Sequence, residues 1–167
     1  MKQYLSTVFL VCFLLFSSCS RKESEEKLRM INIDGLEIIK PDIESVVYLF
    51  ELPVKEWKKL IESKGFEAGG EEMMLIYTKT NREKKMLVQG LNKSAEEFGI
   101  TWTNFDSGSL IMGEIEVELK EYFVEKDDMV NYYKYSKDGN DYIFTLSRDK
   151  NMGIEVLSVQ KLVKNEI

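Results

Sequence analysis

The sequence predicts an α+β fold, an antiparallel sheet with one or two helices packed on one face. Three observations carry that expectation. From Phe66 onward the chain is a succession of short stretches with alternating apolar and polar residues, bounded by turn formers, as in a sheet with one wet side. Within it, Asp138-Gly139 divides Val130–Ser147 into two strands, and Asp-Gly is a strong signal for a two-residue hairpin loop. Before it, Pro53 to Lys64 sets Val54, Trp57, Leu60 and Ile61 on one side and Lys55, Glu56, Lys58, Lys59 and Glu62 on the other, the mark of a surface helix.

The elements follow in order. Leu28 to Lys40 reads as two short extended pieces around Asp34-Gly35. Asp42 after Pro41 can cap a helix, and Ile43, Val46, Val47 and Phe50 fall at helical spacing, although Val46 to Leu52 also suits a strand. Pro53 suits the first position of the next helix and Gly65 the residue past its end. Met73 to Thr80 and Lys85 to Leu91 flank Asn81-Arg82-Glu83 as a hairpin. Phe98, Ile100 and Trp102 alternate with Gly99, Thr101 and Thr103. Leu110 to Leu119 reads as a strand with Gly113 at a bulge and Glu114, Glu116 and Glu118 on its wet face. In the Asp138-Gly139 hairpin, Tyr135 faces Tyr142 and Tyr133 faces Phe144, all on one side. Met152 to Val163 forms the last strand. No internal repeat or second-domain linker is visible in the sequence.

The first residues differ in kind. Met1-Lys2 is a short positive start, and Val8 to Phe16 is an unbroken apolar run, too short to span a bilayer as a helix. Phe16-Ser17-Ser18-Cys19 follows: a large apolar residue, two small ones and a cysteine. This segment resembles the lipobox of bacterial lipoproteins, with Phe16 where Leu is usual. The resemblance covers the first twenty or so residues. It implies diacylglycerol on the Cys19 thioether, cleavage before Cys19 and acylation of the new amino terminus. Ser20, in place of Asp, resembles the outer-membrane sorting pattern. Secretory cleavage after Ser20 and retention as an uncleaved anchor are the competing readings. Cys12 is a poor lipid site, because Leu10 and Val11 before it are not small. The chain is then a leader over 1–18, a polar tether over 19–27 and one α+β domain over 28–167. Each buried methylene contributes about 0.8 kcal/mol, so the two or three acyl chains on such a cysteine anchor it durably.

The rest of the chemistry is set by what the chain lacks. There is no histidine among the 167 residues, and of the two cysteines one is Cys12 and the other Cys19. Ser-His-Asp and Cys-His catalysis are thereby excluded from the mature domain, and zinc or haem sites lose their usual ligands. No cofactor, metal ligand set or catalytic residue is expected. The net charge is −6, and Lys2 is the only charged residue in 1–18, so cleavage leaves −7. That charge repels phosphate backbones, so nucleic acid is not expected as a partner.

Four candidate arrangements remain. Trp102, Tyr133, Tyr135 and Tyr142 are candidates for stacking sugar rings; as strand aromatics they are also natural core residues, and the core reading is preferred. Glu114, Glu116 and Glu118 could supply paired carboxylates for glycoside hydrolysis, yet like charges on one wet face favour a solvated ladder. Ser-x-x-Lys occurs three times without its companion motifs and carries no weight. Asp138-Gly139-Asn140-Asp141 lacks the spacing of a calcium loop and is explained as a turn. The sequence thus leads to the expectation of an envelope lipoprotein, held in the outer membrane by lipid on Cys19, with a non-catalytic domain that binds a protein. An immunity or inhibitor protein for a basic target is the concrete version. A glycan-binding accessory lipoprotein and a small carboxylate hydrolase are the alternatives.

Overall fold

In a computed structural model, residues 27–33, 35–70, 74–81, 86–103, 108–127, 130–149 and 153–162 are described. Among these described residues ten strands and three α-helices run in the order β1 (Met30–Ile33), β2 (Leu36–Ile39), α1 (Ile43–Glu51), α2 (Val54–Ser63), β3 (Glu67–Gly70), β4 (Leu75–Asn81), β5 (Met86–Lys93), β6 (Glu97–Thr103), α3 (Gly108–Leu119), β7 (Phe123–Asp127), β8 (Val130–Lys137), β9 (Asn140–Asp149) and β10 (Ile154–Leu162). A 3-10 turn over Lys120–Tyr122 joins α3 to β7. β1 and β2 form a hairpin, and the other eight strands make one antiparallel sheet in the order β3-β4-β5-β6-β10-β9-β8-β7. The fold is α+β and mostly sheet.

The order has a simple origin. Each half of the sheet is a four-stranded meander preceded by a helix, α2 before β3–β6 and α3 before β7–β10. The last strands of the two meanders pair in the middle, from Glu97 opposite Gln160 to Thr103 opposite Ile154. Side chains alternate, so this seam puts Phe98, Ile100, Trp102, Leu157 and Val159 on one face, all buried. Across β9 and β8 the same face continues with Leu146, Phe144, Tyr142 and Tyr133. Trp57 and Ile61 of α2 and Val46 and Leu49 of α1 close the core with them. The opposite face is more polar; there Thr145 and Ser158 share a 2.7 Å hydrogen bond across β9 and β10.

Local chemistry sets the helix ends. The Asp42 side chain accepts from the Ser45 N–H at 2.8 Å and caps α1. Pro53 stands at the cap of α2, one place before the helical position expected for it. Gly65, just past that helix, has φ 79°, a conformation in which any side chain is strained. In the β8–β9 turn Asp138 (φ 50°) and Gly139 (φ 77°) are both left-handed, as a two-residue loop on a twisted hairpin requires. Tyr135 lies opposite Tyr142 and Tyr133 opposite Phe144, the register expected from the sequence.

One element differs in kind. Leu110–Leu119, read from sequence as a strand, lies within helix α3. Ile115 and Leu119, four apart, point into the core, while Val117 between them is 73% exposed. The strand reading would have put all three together, so period two was the wrong ruler here. The edge strands β3 and β7 also carried no clear sequence signal. Both have irregular pairing, at Ala68/Gly70 and at Phe123/Glu125, and β7 is exposed along its length, features that discourage further strand pairing.

Polar side chains rise from the apolar face of β4 and β5 into the layer above. Gln89, fully buried, accepts from the Ile39 N–H (2.9 Å) and donates to the Ile39 C=O (2.7 Å), acting as a strand partner for β2. Replacing Gln89 with Ala is expected to cost at least about 2 kcal/mol, because both backbone groups of Ile39 lose this partner in a buried place. Urea unfolding together with hydrogen exchange at Ile39 checks this. Unchanged protection of that amide would contradict the role given to Gln89.

Candidate functional site

Of the four aromatic residues proposed from sequence, Tyr133, Tyr135 and Tyr142 come together on the inward face of β8 and β9, and Trp102 lies on the same face of β6, toward the other end of the sheet. Trp102 is 2% exposed, Tyr133 4% and Tyr142 1%, and Tyr135 is half-buried. The polar ends of Trp102 and Tyr142 find partners inside the molecule. The indole N–H of Trp102 donates to the buried Glu155 carboxylate at 2.8 Å, which also accepts from Arg148 Nε at 2.8 Å. The Tyr142 hydroxyl donates to Glu51. Burial, and then that carboxylate, push the Tyr142 phenol well above its ordinary value. Tyr135 packs edge-on to Tyr122 and Phe144, at 5.2 and 6.1 Å between ring centres. The exposed row that sugar stacking needs is therefore not formed by these rings; they are core beneath the helices.

The three glutamates of the supposed ladder lie on helix α3, Glu114 and Glu118 one turn apart on one side and Glu116 on the other, which corrects the strand-face placement. Glu114 pairs with Lys40 at 2.7 Å, and Glu116 reaches Arg148 at 3.9 Å. Glu118 accepts from the Ile43 N–H at 3.3 Å, at the start of α1. Partial desolvation raises the Glu118 carboxyl above its ordinary value. Each acid fastens α3 to a different neighbour, and none stands with another across a cleft. Glycoside hydrolysis needs two carboxyls facing one bond, and this ladder does not provide them.

Lys93 is a feature the sequence reading missed. It follows Gln89 and Leu91 on the inward side of β5 and is 3% exposed. That period-two position was the available signal. Its ammonium donates to the Leu49 carbonyl at 2.8 Å and the Phe50 carbonyl at 2.5 Å, at the end of α1, and lies 5.5 Å from the centre of the Phe50 ring. A helix end presents unpaired carbonyls and a partial negative charge, and α1 has no basic residue in its own last turn. The sheet supplies that cation. Lys79 does the same for α2, donating to the Lys64 carbonyl at 2.7 Å beside the Phe66 ring.

Beside Lys93, at one end of the sheet, lies a cleft of about 770 Å³. The β5–β6 turn with Ser94, Ala95, Glu96 and Glu97 forms one wall, and the β8–β9 turn with Gly139, Asn140 and Asp141 forms the other. Gln160, Lys161 and Leu162 of β10 and Phe50 of α1 lie between them. Hairpin geometry creates the cleft: both turns fall at the end of the sheet where β10 finishes. Sequence reasoning singled out none of these residues as a site except the turn itself, because they lie far apart along the chain.

Cys19 and the whole of 1–18 lie outside the described residues. Among the described residues no group of three or more acidic or thiol ligands is placed to hold a metal ion, and no helix is long and apolar enough to cross a membrane. Compared with protein-family models, curated proteins and solved structures, the chain finds no match in any of the three.

Burial lowers the Lys93 ammonium from 10.5 to about 8. Between those values the unfolded chain binds more protons than the folded one, so this residue's contribution to stability rises with pH. The wild type is therefore expected to gain stability relative to Lys93→Met from about pH 8 to 10.5. Denaturant titrations of both proteins across that range measure it. A constant difference would contradict the placement of Lys93.

Proposed function

We propose that this chain is an outer-membrane lipoprotein, anchored by lipid on Cys19, whose domain is a non-catalytic binding module for a protein partner. An immunity or inhibitor protein that neutralises a basic, envelope-active target is the concrete form. The observation that carries the address is Phe16-Ser17-Ser18-Cys19 directly after the apolar run Val8–Phe16. The binding role is supported by a chain with no histidine, and with no cysteine beyond Cys19, around a concave cleft of ligand-site size. A net charge of −6 favours encounter with basic partners and disfavours nucleic acid.

The two alternatives lose the surfaces they relied on. Glycan stacking needed Trp102, Tyr133, Tyr135 and Tyr142 open to solvent, and three of them are buried. The hydrolase reading needed Glu114, Glu116 and Glu118 paired in a cleft, and instead they sit on a helix, held by Lys40, Arg148 and the Ile43 N–H.

Expression in a Gram-negative bacterium separates the readings of the leader. The mature chain is expected to begin at Cys19 with added acyl mass, and Cys19→Ala to abolish that mass and leave the leader uncut. Mass spectrometry of membrane fractions reads both. An unmodified Cys19, or a mature chain beginning at Arg21, would contradict the proposal. Capture from envelope extracts at low salt tests the binding role, and recovery of no specific partner would count against it.

A further inference from the structure

The face of the eight-stranded sheet turned away from the core has its own pattern. Strand register aligns Thr78, Gly90, Thr101, Val156, Ser147 and Val130 in one row across six strands, from β4 to β8. The next row runs from Ile76 on β4 through Gly99 and Ser158 to Tyr132 on β8. None of these positions holds a charge. A surface of ordinary composition would place about four charged residues among as many positions, and 31% of this chain is charged. Charges begin at the border, with Glu67 beyond Thr78 and Glu125 beyond Tyr132. Val130, Ile143, Ile154 and Val156 stand on this face half-buried, apart from the hydrophobic core. Polar groups here turn on one another. Thr145 and Ser158 share their 2.7 Å hydrogen bond within the face, and Ser158 is 7% exposed. A Cβ at Gly99 would collide with the Asn92 amide, so that side chain lies down across the glycine. The face is therefore low in relief, and its hydroxyl pair keeps its bond when water is removed.

We propose that this face receives the same face of a second copy of the chain, the two sheets closing a sandwich around the uncharged rows. Sheets stack face to face about 10 Å apart, with strand directions about 30° apart. A face six strands wide and about eight residues long covers roughly 800 Å², the area each partner buries in a standard interface. The charge pattern selects the occupant. Two chains of charge −6 repel, so they meet most readily where neither presents an acid. A basic partner would be held by acids, and the centre of this face has none. Helices occupy the other side of each sheet, so the pairing closes at two copies and does not grow. The inference goes beyond the protein partner proposed above, and neither reading requires the other.

Sedimentation equilibrium of the full chain, in detergent matched in density to the solvent, reads the protein mass alone. At micromolar concentrations the wild type is expected at twice the chain mass. Thr101→Lys/Ser147→Lys puts two cations on an uncharged row and should weaken the pair about a hundredfold or more, because each would be buried unpaired. Hydrogen exchange over α1 and α2 reports that the variant keeps its fold. Lys59→Glu, on the exposed side of α2, should leave the doubled mass unchanged. A photoreactive benzoylphenylalanine in place of Gln160, beside the rows, should link to the same face of the other chain in mixtures of isotope-labelled and unlabelled protein.

A single chain mass throughout the micromolar range would overturn the proposal and leave the face to a different protein. A doubled mass kept by the double-lysine variant would overturn it too, since the association would then lie elsewhere. So would links from position 160 to residues 1–26 or 163–167 of the same chain, which would make the chain's own ends the occupant.

Discussion

Three side chains on two neighbouring strands fasten the layer above the sheet. Lys79, Gln89 and Lys93 project from the inward face of β4 and β5, and each bonds to backbone: the end of α2, both sides of Ile39 in β2, and the end of α1. Apolar burial supplies the energy that brings helices and sheet together, but it is non-directional. Hydrogen bonds to specific carbonyls have direction, and a buried carbonyl without a partner is costly. The trio therefore selects where the helices sit on the sheet. The position of Phe50 at the cleft follows from it, because Lys93 holds the last turn of α1 there.

The rest of the architecture is consistent with that constraint. The two meanders meet along β6 and β10, and the far half is tied to the helices by other polar contacts: Tyr142 to Glu51 of α1, and Arg148 to Glu116 of α3. Glu155, buried on the inner face of β10, is matched by Arg148 and the Trp102 indole, so a carboxylate in the core carries no unpaired charge. The cleft then arises where the two hairpin turns extend on either side of the end of β10. It is a product of strand lengths, lined by turn residues that the core does not require to be apolar.

Legibility from sequence tracked how local the determining physics was. Asp138-Gly139 fixes its own hairpin through two left-handed residues, so its register was readable to the residue. The α2 helix, with its Trp57/Ile61 side and its Pro53 and Gly65 borders, was readable for the same reason. Helix α3 was not. Its β-branched Ile111, Ile115 and Val117 suit a strand, and its helicity becomes evident only with Ile115 and Leu119 in the core and Glu114 and Glu118 joined to Lys40 and Ile43. The exposed edge strand β7 has no buried side to imprint a period. The cleft residues were invisible because Phe50, Glu96, Asp141 and Leu162 meet only after both meanders close. The aromatic face was read correctly as a face, and its inward direction was the core interpretation preferred from the sequence.

The most direct test of the central constraint replaces Lys79, Gln89 and Lys93 together by Met, Leu and Met, which keeps apolar volume and removes direction. Hydrogen exchange resolved along the chain should then show lost protection over residues 36–64, with β8, β9 and β10 still protected. Undiminished protection over 36–64 would contradict the account, since shape and apolar burial would then suffice to place the helices.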